Sequence, residues 1–269
     1  MKIFISADIE GVTTSTQRDD VIEKQSYAVM HQAQMTQEVL ACIEGAQAAG
    51  ATEIVVKDAH GLYACNIDPT KMPVGTKLIR GWSGNPHVMV DGIDDSFDAA
   101  MFVGYHSAAS IIGNPLAHTV SGKCSLIKMN GMIASEFLIY SYACAYYNVP
   151  TVFLSGDKML CDDSKKLHPS LITCAVKEGV GGMTINYAID ETLKNIKDLS
   201  AQALSQDLTH ALVPLPKHFE LELHYRSHID WEKASWFPSV KKQSDNIILF
   251  QSSNYFEVLT ALKWLLIGF

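Results

Sequence analysis

Asp8 and Glu10 stand two residues apart, just after the apolar run Ile3-Phe4-Ile5-Ser6-Ala7. In extended backbone, side chains at i and i+2 share a face, so both carboxylates point the same way. Such neighbours repel, and unless a positive group lies between them one must take up a proton or turn out into water. Two histidines occupy comparable places further on. His60 closes Val55-Val56-Lys57-Asp58-Ala59-His60-Gly61, and His106 follows a β-rich run in Gly104-Tyr105-His106-Ser107. An acidic pair after a strand is common, and a lone loop histidine more often makes a hydrogen bond than binds a ligand. The argument rests on convergence: in open α/β sheets ligands sit beyond the carboxyl ends of the strands, so three strand-end loops would meet there if the strands are neighbours. With Glu136 the set comprises two imidazoles and three carboxylates, which suits two divalent ions sharing one bridging carboxylate. His118, in Pro115-Leu116-Ala117-His118-Thr119, lies in a Gly/Pro-containing loop able to reach the same crevice. Its ordinary pKa lies near working pH, which fits a general acid or base, or a nucleophile. The other seven histidines, including His224 and His228, have no comparable partners and are read as structural.

Positioning these residues requires strands separated by helices, and the hydrophobic pattern supplies them. β-rich runs at 2–7, 53–57, 100–103, 125–129 and 151–154 alternate with helical patterns at 27–49 and 135–147. That alternation implies βαβ units: an α/β fold with a mostly parallel sheet and helices on both faces. In the first helix Met35, Val39, Cys42, Ile43, Ala46 and Ala49 recur at helical spacing, and Gly50 stands where a left-handed cap belongs. Tyr140, Tyr142, Tyr146 and Tyr147 put aromatics on both faces of the second helix, which points to core and subunit packing. Beyond about residue 160 the pattern changes to a strand at 172–176, a glycine-rich turn at 179–182 and a helix at 189–204. Then come the corner Val213-Pro214-Leu215-Pro216, strands at 219–224 and 246–251, and a helix at 255–266. We therefore expect residues 1–160 to form the α/β domain carrying the site and residues 161–269 a smaller α+β domain.

Composition narrows the function classes. The chain has 269 residues, enough for a full core without disulfide or metal staples. Its formal net charge of −8 argues against a phosphate-gripping protein, so no nucleic-acid partner is expected. The apolar stretch 261–269 is broken by Lys263 and falls far short of the ~20 residues of a membrane span, so no membrane partner is expected. The amino terminus has too short an apolar run for a signal peptide and soon meets Asp8. The six cysteines are widely spaced without a C-x-x-C, as in reduced thiols, and a cytoplasmic location is expected. Neither a P-loop, nor a dinucleotide fingerprint after the first strand, nor a G-x-S-x-G elbow is present. Besides a metal hydrolase, a metal-free α/β binding protein stays open at this point.

Ser6-Ala7-Asp8-Ile9-Glu10-Gly11, the block from Ala49 to Gly61, and Phe102-Val103-Gly104-Tyr105-His106 resemble the zinc D-aminopeptidases of the dipeptide-transport-operon protein A type. The likeness continues through Ala117-His118-Thr119-Val120-Ser121-Gly122, Met129-Asn130-Gly131 with Glu136, Leu154-Ser155-Gly156-Asp157 and Val176-Lys177-Glu178-Gly179, covering roughly residues 1–185 in order. The resemblance implies two zinc ions per chain, with Asp8 bridging, Glu10 and His60 completing one metal, and His106 and Glu136 the other. It implies that His118 acts in catalysis, as nucleophile in the family's proposal, although a water activated by the metals serves equally. It further implies a homodecamer and short peptide substrates with an N-terminal D-amino acid; another amide or ester as substrate stays open. This chain departs from the family's pattern in three places. Val12-Thr13-Thr14-Ser15-Thr16 follows Glu10-Gly11, bulky Phe137-Leu138-Ile139-Tyr140 follows Glu136, and His31-Gln32-Ala33-Gln34 stands where first-helix arginines are common. The bulk after Glu136 is expected to reshape the substrate pocket.

Overall fold

The computed structural model describes Met1–Gly268; Phe269, the end of the apolar 261–269 stretch, lies outside the described residues. Along the chain run β1 (Lys2–Ala7), α1 (Ala28–Ala48), β2 (Glu53–Asp58), β3 (Thr76–Ile79), β4 (Ala99–Tyr105), β5 (Cys124–Met129) and β6 (Met132–Ile133). Next come α2 (Glu136–Tyr146), β7 (Thr151–Asp157), α3 (Lys158–Leu167), β8 (Ile172–Val180), β9 (Met183–Asn186) and α4 (Ile189–Leu204). The chain ends with β10 (Phe219–Tyr225), α5 (His228–Ala234), β11 (Lys241–Lys242), β12 (Ile247–Ser252) and α6 (Tyr255–Leu262).

Seven strands form one sheet in the order β3-β2-β1-β4-β7-β8-β9, parallel except for β9. Chain order runs outward from β1 through β2 to β3, then crosses to β4 on the other flank. The switch point of the sheet therefore lies between β1 and β4. Five strands form a second, antiparallel sheet in the order β11-β12-β10-β5-β6. The fold is α/β, a mostly parallel sheet with helices on both faces, joined by a smaller antiparallel sheet.

Side-chain alternation explains the layers. Ile3, Ile5 and Ala7 of β1 pack with Val39, Ile43 and Ile196, the inward stripes of α1 and α4. Phe4 points to the opposite face, into a core shared with Phe102, Phe137, Ile127, Leu221 and Ile248. That second core joins the underside of the parallel sheet to the antiparallel sheet. Helix α2 sits within it, packed on β4, β7 and α6. An apolar, aromatic-rich helix is stable only where both faces are covered, which accounts for Ile139, Tyr140, Tyr142 and Cys144 all being buried. Among the described residues, no helix is long and apolar enough to cross a bilayer.

Candidate metal centre

Parallel pairing in register brings the strand ends level: Ala7 faces Asp58 on β2 and Val103 on β4. Asp8, His60 and His106 thus leave neighbouring strands at one edge of the sheet. Glycine permits the close approach there. Gly104 has φ +71°, and a Cβ on it would lie 2.2 Å from the Asp8 carbonyl oxygen. A Cβ on Gly11 would lie 1.9 Å from that of Tyr105. The fourth contributor arrives by a helix start. The Ser135 side chain caps α2 by accepting from the Leu138 amide at 3.1 Å, which places Glu136 in the first turn.

Other side chains hold these loops. The Asp58 carboxylate accepts from the Asn66 and Ile67 amides at 2.5 and 2.8 Å, folding the segment after His60 back on itself. The Asp157 carboxylate accepts from the Ser107 amide and hydroxyl, both at 2.6 Å, next to His106. Fully buried Lys177 donates to the carbonyls of Glu10, at 2.7 Å, and Ser15, and Asn114 also donates to the Glu10 carbonyl. Sequence reasoning gave none of these four a role, although Asp58, Asp157 and Lys177 lie inside the motifs that carried the resemblance. A carboxylate ending an otherwise apolar strand was the available signal for the two aspartates.

The six residues singled out in the sequence come together, and their geometry is unusual. His60 Nε2 donates to the Val21 carbonyl at 2.9 Å, leaving Nδ1 to face Asp8 at 3.0 Å and Glu10 at 3.3 Å. His106 Nδ1 donates to the Ser107 carbonyl at 2.9 Å, so Nε2 faces Glu136, Glu10 and Asp8 at 3.4, 3.5 and 3.6 Å. His118 Nδ1 donates to the Leu116 carbonyl at 2.9 Å, and its Nε2 lies 3.6 Å from Glu136. In each neutral ring the remaining nitrogen carries a lone pair aimed at carboxylate oxygens. Lone pair against lone pair is repulsive, so this arrangement calls for protons or cations between the groups. Asp8 Oδ2 and His106 Nε2 are buried with no hydrogen-bond partner, the signature expected of ligand atoms. The His106 and His118 rings stack with centroids 4.6 Å apart.

Electrostatics point the same way. Burial disfavours charge on His60 and His106, yet facing carboxylates outweigh it and raise both imidazoles well above their ordinary range. Burial likewise opposes Glu10 and Glu136, but His118, His60 and His106 hold Glu10 well below the usual carboxylate range, and His106 and His118 lower Glu136. Asp8 is raised, because burial outweighs the histidines beside it. Without metal, protons supply the positive charge that the cluster needs.

Three donor groups, each with ligand atoms within 4.8 Å of one another, could hold a metal: Asp8 with Glu10 and His60, Asp8 with His106 and Glu136, and Glu10 with His106 and His118. Asp8 is common to the first two, Glu10 to the first and third, and His106 to the second and third. Mixed imidazole and carboxylate donors in a buried setting fit a divalent transition metal, zinc included.

The residues that depart from the family's pattern do not line this site. Thr13 bonds Glu38 through its amide and hydroxyl, Thr14 meets His31, and Ser15 bonds the Ile9 carbonyl. The hydroxyls thus fasten the Asp8–Glu10 loop to α1 and to itself. Phe137 and Leu138 line a different cavity, so the expected reshaping of the substrate pocket by bulk at those positions is not found. The helical turn carries their side chains away from the face that presents Glu136.

Comparison with known proteins agrees with this geometry. The chain is 27% identical over 265 residues to a D-aminopeptidase of Bacillus subtilis (strain 168), covering 97% of this chain and 95% of that protein. It superposes with TM-score 0.91 on the zinc-dependent D-aminopeptidase DppA from Bacillus subtilis, a self-compartmentalizing protease. That match is 24% identical and covers 98% of this chain and 96% of the other. The sequence profile of peptidase family M55, D-aminopeptidase, matches residues 1–264, nearly the whole length, and the chain belongs to that family.

Proposed function

We propose that this chain removes the N-terminal D-amino acid from short peptides, using two zinc ions held by Asp8, Glu10, His60, His106 and Glu136. Asp8 would serve both ions, with Glu10 and His60 holding one and His106 and Glu136 the other. The observation that carries this reading is the set of imidazole lone pairs aimed at buried carboxylates, in three overlapping donor groups. When bound there, zinc would supply Lewis-acid chemistry for the scissile carbonyl.

The chain's own groups do the rest. The peptide's amino end would enter the cavity that Asp8, Glu10, His60, His118 and Glu136 line. His118 is only partly buried, and its ring is aimed by the Leu116 carbonyl, which leaves Nε2 to exchange protons. It takes a proton from the attacking water and returns one to the leaving nitrogen as the C–N bond breaks, with the water's oxygen ending in the carboxylate of the released amino acid. We carry over the self-compartmentalizing assembly and expect a homo-oligomer, a decamer on the family resemblance. Six free thiols support a cytoplasmic location.

The test is elemental mass spectrometry on untagged protein purified without chelator, followed by a panel of D- and L-aminoacyl dipeptides. About two zinc ions per chain and cleavage confined to the D series are expected. Protein that neither retains nor takes up divalent metal, or that cleaves no D-peptide when loaded, would overturn the reading.

A further inference from the structure

The cavity beside the cluster encloses about 340 Å3, at the small end of the range for small-molecule sites. Asp8, Glu10 and Glu136, the carboxylates proposed to hold zinc, line one part of it, while Leu62, Trp82, Val88, Met89, Val120 and Ile267 give it apolar walls. Among the described residues that line it, Lys263 is the one lysine or arginine. Its ammonium donates to the Gly84 carbonyl and lies 4.7 Å from the centre of the Trp264 ring. No carboxylate of the described residues lies within ion-pair distance of it. Asp91, the remaining acid of the lining, is engaged by the Ser83 amide at 3.0 Å and the Asn85 amide group at 2.6 Å. An ammonium has three donors, so Lys263 keeps hydrogen-bonding capacity for an anion that enters the cavity. Lys263 also opens the segment Lys263–Ile267, wound as a π-helix, a form concentrated at functional sites.

The zinc-binding end of the cavity would therefore take the peptide's amino end and scissile bond, and Lys263 offers a cation for a carboxylate at another part of the same cavity. We propose that Lys263 receives the C-terminal carboxylate of the substrate, so that this chain selects peptides short enough to place both termini in one cavity. The assignment rests on the peptidase reading above. A second cavity of about 580 Å3 also borders Glu10, His60 and His118 and includes Arg18, which makes that arginine the rival cation. It borders Glu10 but neither Asp8 nor Glu136, so it reaches less of the proposed zinc site.

The experiment measures kcat and KM of the zinc-loaded full-length protein for D-alanyl-D-alanine and for its C-terminal carboxamide. The free acid is expected to be preferred roughly 10- to 100-fold in kcat/KM, mainly through KM, as for a charge-assisted hydrogen bond. In Lys263→Met the preference should collapse towards unity, with melting temperature and zinc content as in the parent, and Lys263→Arg should restore part of it. Calorimetry with the reduced-amide isostere, carrying or lacking the free carboxylate, should show the same difference without turnover. Equal use of acid and carboxamide by the parent would overturn the proposal, even if Lys263→Met fails to fold. So would a preference that survives in folded Lys263→Met, or one abolished by Arg18→Ala instead. Those results leave the peptidase reading standing, whereas hydrolysis of no D-peptide at all defeats both.

Discussion

Each imidazole of the cluster gives one ring N–H to a backbone carbonyl, and that choice decides which nitrogen remains for chemistry. Replacing a single cluster residue should therefore have effects that depend on which groups it faces. Asp8 meets both His60 and His106 and belongs to two donor groups, so Asp8→Ala should deplete metal from the whole site. We expect zinc per chain to fall by more than half and activity to fall at least ~100-fold. Elemental analysis after dialysis checks this, and a variant that keeps its full metal content would show that Asp8 does not bridge. His118 should separate turnover from metal binding. In His118→Asn we expect kcat to fall roughly 10²- to 10⁴-fold, the usual range for losing a general acid-base group, with zinc content close to the parent's. Unchanged kcat would remove His118 from the chemistry, and a covalent adduct trapped on it would replace proton transfer by direct attack.

At the scale of elements, the site exists because β1 and β4 leave the sheet in contact, and Gly104 is where that contact is tightest. Gly104→Ala would put a methyl group 2.2 Å from the Asp8 carbonyl oxygen on a residue whose φ is +71°. The strand ends must separate, which moves Asp8 away from His106. We expect a loss of ~2 kcal/mol or more in urea denaturation together with reduced zinc retention. Gly182→Ala, which meets nothing within 4 Å, should change stability by no more than ~0.5 kcal/mol. Equal stabilities for the two variants would show that the glycine is not needed for the approach. The same contrast between local and long-range order explains how much was legible beforehand. Helix α4 falls on the expected 189–204 and α1 ends within a residue of its expected limits, because a buried stripe writes its period into the sequence. Helix α2, buried on all sides, is instead bounded by its Ser135 cap and the Asn148-Val149-Pro150 stop. Strand β3 was not anticipated, since Thr76-Lys77-Leu78-Ile79 is short and half-exposed at the sheet edge. Helix α3 was missed because Lys158–Leu167 is mostly polar, and its start is set by Asp157 capping the Leu160 amide. The pairing of β5 with β10 leaves no local trace, as about ninety residues separate the partners. Five of the six site residues were readable for the opposite reason: each follows a strong local signal, a strand end or a helix start, whereas His118 lies in a loop between β4 and β5. The residues that orient them, Lys177 and Asn114, act across the sheet and have no such signal.

Across the whole molecule, the two cores bury groups whose titration should make stability depend on alkaline pH in a definite way. Burial lowers Lys57 and Lys177 to about 8, against 10.5 for a free lysine. From pH 8 to 10.5 the unfolded chain holds these protons while the native chain has released them, so the lysines make stability rise with pH. The cysteines have the opposite sign. Burial pushes Cys42, Cys124, Cys144 and Cys174 up to about 12 from 9.0, and Cys161 well above it. Above pH 9 the unfolded chain gives up thiol protons that the native chain keeps, so each cysteine lowers stability, and the cysteines outnumber the lysines. Burial also raises Tyr105, Tyr140 and Tyr255, which extends the decline beyond pH 10. Stability under reducing conditions should therefore peak between about pH 8 and 9 and fall through pH 11, each unopposed thiol adding up to ~1.4 kcal/mol per pH unit. Urea midpoints at pH 8, 9, 10 and 11 measure the profile. Cys144→Ala, one thiol fewer, should flatten the falling limb, whereas an unchanged slope, or midpoints that rise steadily to pH 11, would show that these buried groups do not control alkaline stability.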